Sequence, residues 1–458
     1  MKLLLRSMLV VSIAIVGINV TIWAKSSKVA KEGLAEWSIL TYIQSDNSLT
    51  GFDTYNVNDM QKGVMSTVGS NVLVQWDQAK NNTTWRYRIV PGGVVESGSF
   101  NTDMGYSPEN ELVGAVQWMV SNYPAKQYAL ILWNHGSGIE DLRCLLAKMP
   151  GMPKDMPKTI YSWIEIPGAP EVKKFSMERG ILYDDSQGTL LTNQALASAL
   201  TRMKTIIGKN LDILGMDACL MAMLEVAYQV KDSVNYFVGS QQTEPGEGWP
   251  YSAFLKPLTS SPSEITPIVL SQKMVSAYKT FYTGKKDAAD FTLSAINVAS
   301  VSAIKQNIDQ FLANITSCQS LDARTTRSIV LAARSVSIEL YMPEYIDLYS
   351  FYSGLLNQIQ RVSRKEPKSG KILAKIDNID RAKITVAYKN SLNTLQATLL
   401  DGMQKIVAAV VQNAAGPQLA NVKGLSIYYP RYGSIHASYP PTLFAQGTSW
   451  VRFIQTYR

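Results

Sequence analysis

The segments YALILWNHG (residues 128–136) and LDILGMDAC (residues 211–219) decide the predicted fold of this chain. Each begins with an apolar run typical of a buried strand, and the first leads into His135 and the second into Cys219. In open α/β sheets, ligands and chemistry lie at the carboxyl edge of the strands. We therefore expect both side chains to leave a parallel sheet at that edge.

Strand-like and helix-like segments alternate around these two runs. The stretch from Pro108 to Asn122 has proline and glutamates in its first turn and apolar residues at helical spacing, and residues 190–204 are amphipathic. Further strands are predicted at 37–43, 71–76, 85–90 and 236–239. This order of strand, crossover helix and strand favours a mainly parallel sheet with helices on both faces.

From about residue 263 onward, the pattern is mostly helical. Helices are predicted at 264–282, 301–317, 324–340, 345–362 and 387–413, and strands at 291–297 and 424–429. We therefore expect a largely helical C-terminal region that closes with a strand.

The amino end predicts export. Lys2 and Arg6 precede an apolar stretch from Met8 to Trp23, and the small residues Ala24 and Ser26 then offer a cleavage signal. The apolar stretch is short for a membrane span, so a retained anchor is the second interpretation. We expect a secreted or periplasmic protein with no stable membrane span once residues 1–26 are removed.

Charge and cysteine content limit the partners and the redox chemistry. The net charge of +8 is spread without a basic run or an aromatic-rich patch, so no nucleic-acid partner is predicted. After export, the three cysteines (Cys144, Cys219 and Cys318) leave at least one thiol unpaired. The sequence leaves open whether Cys144 and Cys318 pair or stay as buried thiols.

A thiol and an imidazole at one sheet edge are the minimal parts of a cysteine nucleophile and its base. Gly136 follows His135, and a residue without a side chain lets a backbone N–H approach a substrate carbonyl as an oxyanion donor. The N–H of Cys219 is the second expected donor. The other interpretation makes His135 a turn residue and Cys219 a small buried hydrophobe. We expect His436, which follows the last predicted strand, to be structural.

Taken together, the motifs resemble those of the clostripain-like cysteine peptidases, in the wider group that contains caspases, gingipains, legumain and separase. The matching motifs are DNSL (46–49), NHG (134–136), ILYDD (181–185), GMDAC (215–219), EPGEGW (244–249) and GLSIYYP (424–430). The resemblance implies a caspase-like three-layer α/β/α sandwich, a catalytic dyad of His135 and Cys219, and cleavage after arginine or lysine. It also implies a catalytic domain over 27–260, followed by the helical region over 261–458.

A cationic substrate side chain in a narrow pocket needs a carboxylate to offset its lost hydration. Asp217 lies two residues before Cys219, and the matching aspartate has this role in clostripain-like enzymes. Glu247, in the loop 240–249, is the second candidate, and Ser240 at the start of that loop is expected to contribute to substrate binding. Asp217 as a turn residue and Glu247 as a solvated carboxylate are the alternatives.

The stretch 140–180 is basic, rich in proline and long for a loop, which is typical of an exposed functional segment. Clostripain-like enzymes are made as zymogens that cut themselves between the histidine and cysteine strands. The resemblance therefore implies self-cleavage here, with the bond after Arg179 preferred and those after Lys173 or Lys174 next.

No organic cofactor and no metal site are predicted. Asp184 and Asp185 fit either a calcium site, which some relatives require, or a paired-aspartate turn, and we favour the turn. The predicted partners are peptides or proteins with Arg or Lys at the cleaved bond. Two rival hypotheses stay open: a secreted binding protein that keeps the fold without turnover, and a related transpeptidase or a peptidase of other specificity.

Overall fold

A central β-sheet organises the part of the chain that the computed structural model describes, namely residues 34–78, 83–139, 180–285, 288–363 and 385–458. The strands are β1 (Ala35–Gln44), β2 (Ser70–Asp77), β3 (Thr84–Val90), β4 (Gly93–Phe100), β5 (Ala125–Trp133), β6 (Gly180–Asp184), β7 (Thr189–Thr192), β8 (Leu211–Asp217), β9 (Val234–Gly239), β10 (Thr292–Asn297), β11 (Tyr345–Asp347), β12 (Val410–Ala415) and β13 (Ser426–Tyr428).

Helices cover both faces of this sheet and build most of the C-terminal region. They are α1 (Phe52–Gly63), α2 (Pro108–Asn122), α3 (Asn193–Ile207), α4 (Leu224–Gln229), α5 (Tyr251–Ser260), α6 (Pro267–Tyr282), α7 (Val301–Leu321), α8 (Ala323–Val336), α9 (Leu348–Ser363), α10 (Val386–Ala409), α11 (Leu443–Gly447) and α12 (Trp450–Tyr457). Short 3₁₀ turns lie at Pro262–Glu264, Val298–Ser300 and Pro417–Leu419.

Among the described residues, the main sheet has nine strands in the order β12-β10-β9-β8-β5-β1-β2-β3-β4. The five central strands, from β9 to β2, run parallel, and the flanking strands β10 and β3 are antiparallel to them. The edge strands β12 and β4 pair antiparallel with β10 and β3, so they run in the same direction as the central strands. The remaining strands form two small sheets, β6 with β7 and β11 with β13. The predicted α/β fold with a mainly parallel sheet is confirmed.

The central strands are buried on both faces because their side chains alternate between two hydrophobic cores. Leu40 and Leu130 face one core together with apolar residues of α2, α3 and the C-terminal helices. Ile39 and Ile131, their neighbours in sequence, face the other core with residues of α1, α5 and α6. This arrangement is the predicted three-layer α/β/α sandwich.

The C-terminal region differs from its sequence-based prediction at several boundaries. The helix predicted over 387–413 ends at Ala409, because Val410–Ala415 pairs with β10 as an edge strand. The helix predicted over 345–362 begins only at Leu348, since Tyr345–Asp347 pairs with β13. Both errors have one cause: pairing with a distant strand overrides local helical spacing.

Strands from both sides of residue 260 belong to the same main sheet, because β10 and β12 extend it beyond β9. Ala35–Arg458 forms one compact unit. Within the described ranges, no helix combines the length and the apolar character needed to cross a membrane. The predicted leader, Cys144 and the predicted cleavage positions Lys173, Lys174 and Arg179 lie outside the described residues.

Candidate active site

His135 and Cys219 are positioned by two neighbouring parallel strands. Trp133 at the end of β5 is the register partner of Asp217 at the end of β8. His135 and Cys219 each follow these partners at the same distance in sequence, and the Asn134 N–H donates to the Asp217 carbonyl oxygen at 3.3 Å. The carboxyl edge of the sheet therefore brings the ends of both motifs together, as the sequence predicts.

The imidazole of His135 is held by the loop that follows β1. Its Nε2 lies 2.8 Å from the hydroxyl oxygen of Ser48. Burial lowers the pKa of His135 to about 4, so the ring is neutral near pH 7 and able to accept a proton. Among the described residues, the ring has a hydrogen bond to Ser48 and none to the Cys219 thiol.

Asn134 fixes the backbone on which His135 sits, a role that the sequence reasoning missed. Its buried amide group donates to the carbonyl oxygens of Gln44 at 2.5 Å and Tyr183 at 2.9 Å. Its Oδ1 accepts from the Tyr183 N–H at 2.9 Å. Asn134 thus ties the end of β5 to β1 and β6, and its place in the NHG motif was the available signal.

The Cys219 thiol lies in a tight turn after β8. Its Sγ accepts a hydrogen bond from the Glu244 N–H at 3.2 Å. The next residue, Leu220, has φ +63°, which is rare for a residue with a side chain, and its N–H donates to the Gln242 carbonyl oxygen at 3.1 Å. Burial raises the pKa of Cys219 to about 11, and the nearby Asp217 charge adds to this, so the sulfur is a thiol at neutral pH.

Gly136 lies where the two strand-end loops touch. It forms a β-bridge with Ile181, and a Cβ at this position would come 2.5 Å from the carbonyl oxygen of Cys219. Any side chain here would push the histidine and cysteine loops apart. A glycine is therefore required for their close approach.

Two acidic residues, Asp217 and Glu244, lie close to Cys219. The sequence predicts a substrate-binding role for Asp217 only. Asp217 Oδ2 accepts from the Tyr251 hydroxyl at 2.8 Å and from the Trp249 N–H at 3.2 Å. Glu244 Oε2 accepts from the Trp249 indole N–H at 3.1 Å.

The two carboxyl groups also contact each other. Burial raises the pKa of both, and the Asp217 charge together with a carboxyl–carboxyl hydrogen bond raises the pKa of Glu244 well above its usual range. Glu244 therefore keeps its proton beside Asp217.

The other two predicted substrate-binding residues lie in different surroundings. Glu247 forms an ion pair with Lys285 at 2.7 Å, with side chains 44% and 34% exposed. Ser240 is buried, donates to the Gln242 carbonyl oxygen at 2.8 Å and lies 2.8 Å from the Thr292 hydroxyl. Glu244 belongs to the same EPGEGW motif as Glu247, so the sequence predicts the motif but not which of its two acidic side chains contacts Asp217.

The Asp184–Asp185 pair has the geometry of a turn. Asp184 Oδ1 accepts from the Gln187 N–H and from the Ser186 hydroxyl, both at 2.8 Å. This side-chain contact to a following backbone N–H is typical of an aspartate turn. Across the described ranges, no group of three or more His, Cys, Asp or Glu side chains is arranged to hold a metal ion.

Comparisons with known proteins show the family and the fold of this chain. A sequence profile described as the clostripain family matches residues 41–149 and 168–453. Clostripain from Hathewaya histolytica is 21% identical over 380 residues, which cover 71% of this chain. The chain spans 64% of the length of that relative.

Solved structures share the fold. A secreted C11 cysteine protease from Bacteroides thetaiotaomicron, in complex with an irreversible peptide inhibitor, is 17% identical, with 92% of this chain and 98% of that chain covered and a TM-score of 0.56. An inactive zymogen C11 protease from Parabacteroides distasonis is 17% identical, with 93% and 99% covered and a TM-score of 0.54.

A three-layer α/β/α fold with a thiol and an imidazole at the carboxyl edge of its sheet has the groups that a cysteine hydrolase requires. The profile covers most of the chain, so the protein belongs to the clostripain family of C11 cysteine peptidases, hydrolases that act on peptide bonds. The resemblance indicated by the sequence motifs is confirmed.

Proposed function

We propose that this protein is a secreted endopeptidase that cleaves after arginine or lysine through an acyl-enzyme on Cys219. The observation that supports this best is the convergence of three groups at one sheet edge: the neutral imidazole of His135, the thiol of Cys219 and the buried Asp217–Glu244 pair. The first two supply a base and a nucleophile. The acid pair supplies a site for a cationic side chain.

In the proposed reaction, His135 takes the thiol proton while Sγ attacks the carbonyl carbon of the scissile bond. The N–H groups of Gly136 and Cys219 hold the resulting oxyanion. The imidazolium then protonates the leaving amine, and water activated by the same ring hydrolyses the thioester. Since the pKa of Cys219 is raised and that of His135 is lowered, proton transfer accompanies attack instead of preceding it as a resting ion pair.

Basic specificity follows from the buried acid pair. An incoming guanidinium or ammonium group favours the charged form of Asp217 and Glu244, and their ionisation in turn offsets the hydration that the substrate cation loses. Glu247 contributes less in this proposal, because Lys285 already neutralises it.

We also propose self-cleavage within the loop 140–180. Gly180 is buried at the start of β6 and pairs with Thr192, and a Cβ on it would collide with the Leu191 carbonyl oxygen. Cleavage after Arg179 therefore requires the first residue of β6 to leave its strand. The bonds after Lys173 and Lys174 lie earlier in the sequence than β6.

The test compares the chain without residues 1–26 with its Cys219→Ala variant. We expect the parent to cut itself within 140–180 and to hydrolyse peptide reporters with Arg or Lys at the cleaved bond. Reporters with Asn or Asp at that position serve as controls for specificity. The Cys219→Ala variant should remain uncleaved and should not hydrolyse any reporter.

A parent chain that is folded and has a Cys219 thiol accessible to alkylation, yet is inactive on every reporter before alkylation, would favour the binding-protein hypothesis. Activity on Asn reporters alone would overturn the basic specificity. Secretion is tested separately by expressing the chain with residues 1–26 and fractionating the cells: retention of the intact chain in the cytoplasm would contradict it.

A further inference from the structure

A loop of the C-terminal region, residues 337–344 between α8 and β11, reaches the active site. On the cysteine side, the Tyr341 N–H donates to Gln242 Oε1 at 2.7 Å, and the Gln242 carbonyl oxygen accepts from the residue after Cys219. On the histidine side, the hydroxyl of the adjoining Tyr345 donates to the Ser137 carbonyl oxygen at 2.7 Å. The loop and the first residue of β11 therefore contact both strand-end motifs.

The side-chain hydroxyl of Tyr341 makes no hydrogen bond to any described residue of the protein. Its hydroxyl oxygen is buried, and no partner for it exists among the described residues. The loss of a hydrogen bond by a buried hydroxyl costs free energy, so such a group is informative in a native structure. Burial raises the pKa of Tyr341, and the charge that Cys219 carries as a thiolate raises it further, so the phenol keeps its proton and acts as a donor.

We propose that the Tyr341 hydroxyl is an oxyanion donor: it donates a hydrogen bond to the substrate carbonyl oxygen when that oxygen becomes negative at Cys219. The assignment rests on the proposed function, in which Cys219 is the nucleophile. The carbonyl oxygen of the bound substrate supplies the hydrogen-bond acceptor that the Tyr341 hydroxyl lacks in the free protein. Tyr341 thus joins the N–H groups of Gly136 and Cys219, and the C-terminal region supplies part of the active site.

The test uses Tyr341→Phe, which removes only the oxygen, in the full chain processed by immobilised wild-type enzyme. We expect kcat to fall by about 10- to 100-fold with KM little changed, because the donor acts mainly in the transition state. Binding of a peptide aldehyde with arginine at its reactive end should weaken by a similar factor, since its adduct with Cys219 presents the same oxygen. The rate of Cys219 alkylation by iodoacetamide, which forms no such oxygen, should stay unchanged.

Two variants serve as controls. Tyr345→Phe removes a hydroxyl that makes a structural hydrogen bond at the start of β11, next to the loop, so alkylation and hydrolysis should fall together. Tyr106→Phe, at a side chain 70% exposed, should match the wild type.

Equal kcat and aldehyde affinity in Tyr341→Phe and the wild type would overturn the proposal. A parallel loss of alkylation in Tyr341→Phe would also overturn it, by showing that the hydroxyl only supports packing. Hydrolysis that persists in Cys219→Ala would instead refute the proposed function, and the assignment of Tyr341 with it.

Discussion

The hydroxyl of Ser48 lies 2.8 Å from Nε2 of His135, so the loop after β1 orients the base that is proposed to act on Cys219. Replacing Ser48 by alanine should lower kcat/KM by about 3- to 10-fold, the range of one neutral hydrogen bond. The ring would lose a partner that limits its rotation. The measurement is kcat/KM from about pH 5 to pH 9, with Ser198→Ala on the exposed face of α3 as the control. Identical profiles for both variants would show that Ser48 does not position the ring.

The raised pKa of Cys219, about 11, predicts how the thiol reacts with a small alkylating agent. In the uncleaved chain, iodoacetamide should react faster at each step from about pH 6 to pH 10, because the thiolate fraction keeps growing below the pKa. His135→Ala should follow the same curve, since a neutral ring does not stabilise the thiolate. A plateau near pH 7 that disappears in His135→Ala would reveal a thiolate–imidazolium pair and contradict this prediction.

The sequence predicts the edge of the sheet well because the relevant signals are local. The apolar run 128–133 predicts a buried strand, and the polar residues after it mark where that strand ends. The crossover helices predict that neighbouring strands run parallel. The structure pairs Trp133 with Asp217, which places His135 and Cys219 at the same edge of the sheet, as the two motifs predict.

The side chains around the thiol are harder to predict because loop geometry decides them. Gly248, with φ +65°, turns the chain so that Trp249 donates to both Asp217 and Glu244, and this selects Glu244 over Glu247 as the buried acid. Tyr341 reaches the site from a loop far along the chain. Neither relationship leaves a periodic signal in the sequence.

Gly136→Ala should damage both stability and activity, since the new Cβ would meet the Cys219 carbonyl oxygen. We expect a loss of about 1–3 kcal/mol in the free energy of unfolding and a large fall in kcat/KM. Gly114→Ala is the matched control, because it lies in α2 with open space around its Cβ position and should be stabilising by about 0.5–1 kcal/mol. Equal unfolding midpoints for the two variants would mean that the strand-end loops are not tightly packed.

Substitutions of the three acidic residues should separate the buried pair from the exposed ion pair. Asp217→Asn and Glu244→Gln should each lower kcat/KM on Arg and Lys reporters by about 10-fold or more, because a desolvated cation loses its charged partner. Glu247→Gln should change it by less than about 2-fold, since an exposed ion pair contributes little. A larger loss of kcat/KM in Glu247→Gln than in Asp217→Asn and Glu244→Gln would contradict this prediction and would place the specificity pocket at the exposed Glu247.

Asp77 at the end of β2 should make the fold less stable as the pH rises. The residue is fully buried, its Oδ2 accepts from the Gln44 amide at 2.7 Å, and no donor among the described residues reaches its Oδ1. Burial, together with the charges of Asp103 and Asp184, raises the pKa of Asp77 to about 8. In the unfolded chain the same carboxyl titrates near pH 4, so above that pH the folded state binds the extra proton.

The stability that this proton provides is fully present below about pH 4 and is lost as the pH rises to about 8. Asp77→Asn keeps the shape of the protonated acid and stays neutral, so its free energy of unfolding should fall less between pH 5 and pH 8 than that of the parent. The measurement is urea unfolding at both pH values in a Cys219→Ala background, which is expected to prevent self-cleavage. In Asp232→Asn, at a side chain 79% exposed, the free energy of unfolding should change between pH 5 and pH 8 as much as it does in the parent. If the free energy of unfolding of Asp77→Asn also changes as much as that of the parent, the buried carboxyl group does not hold a proton in the folded protein.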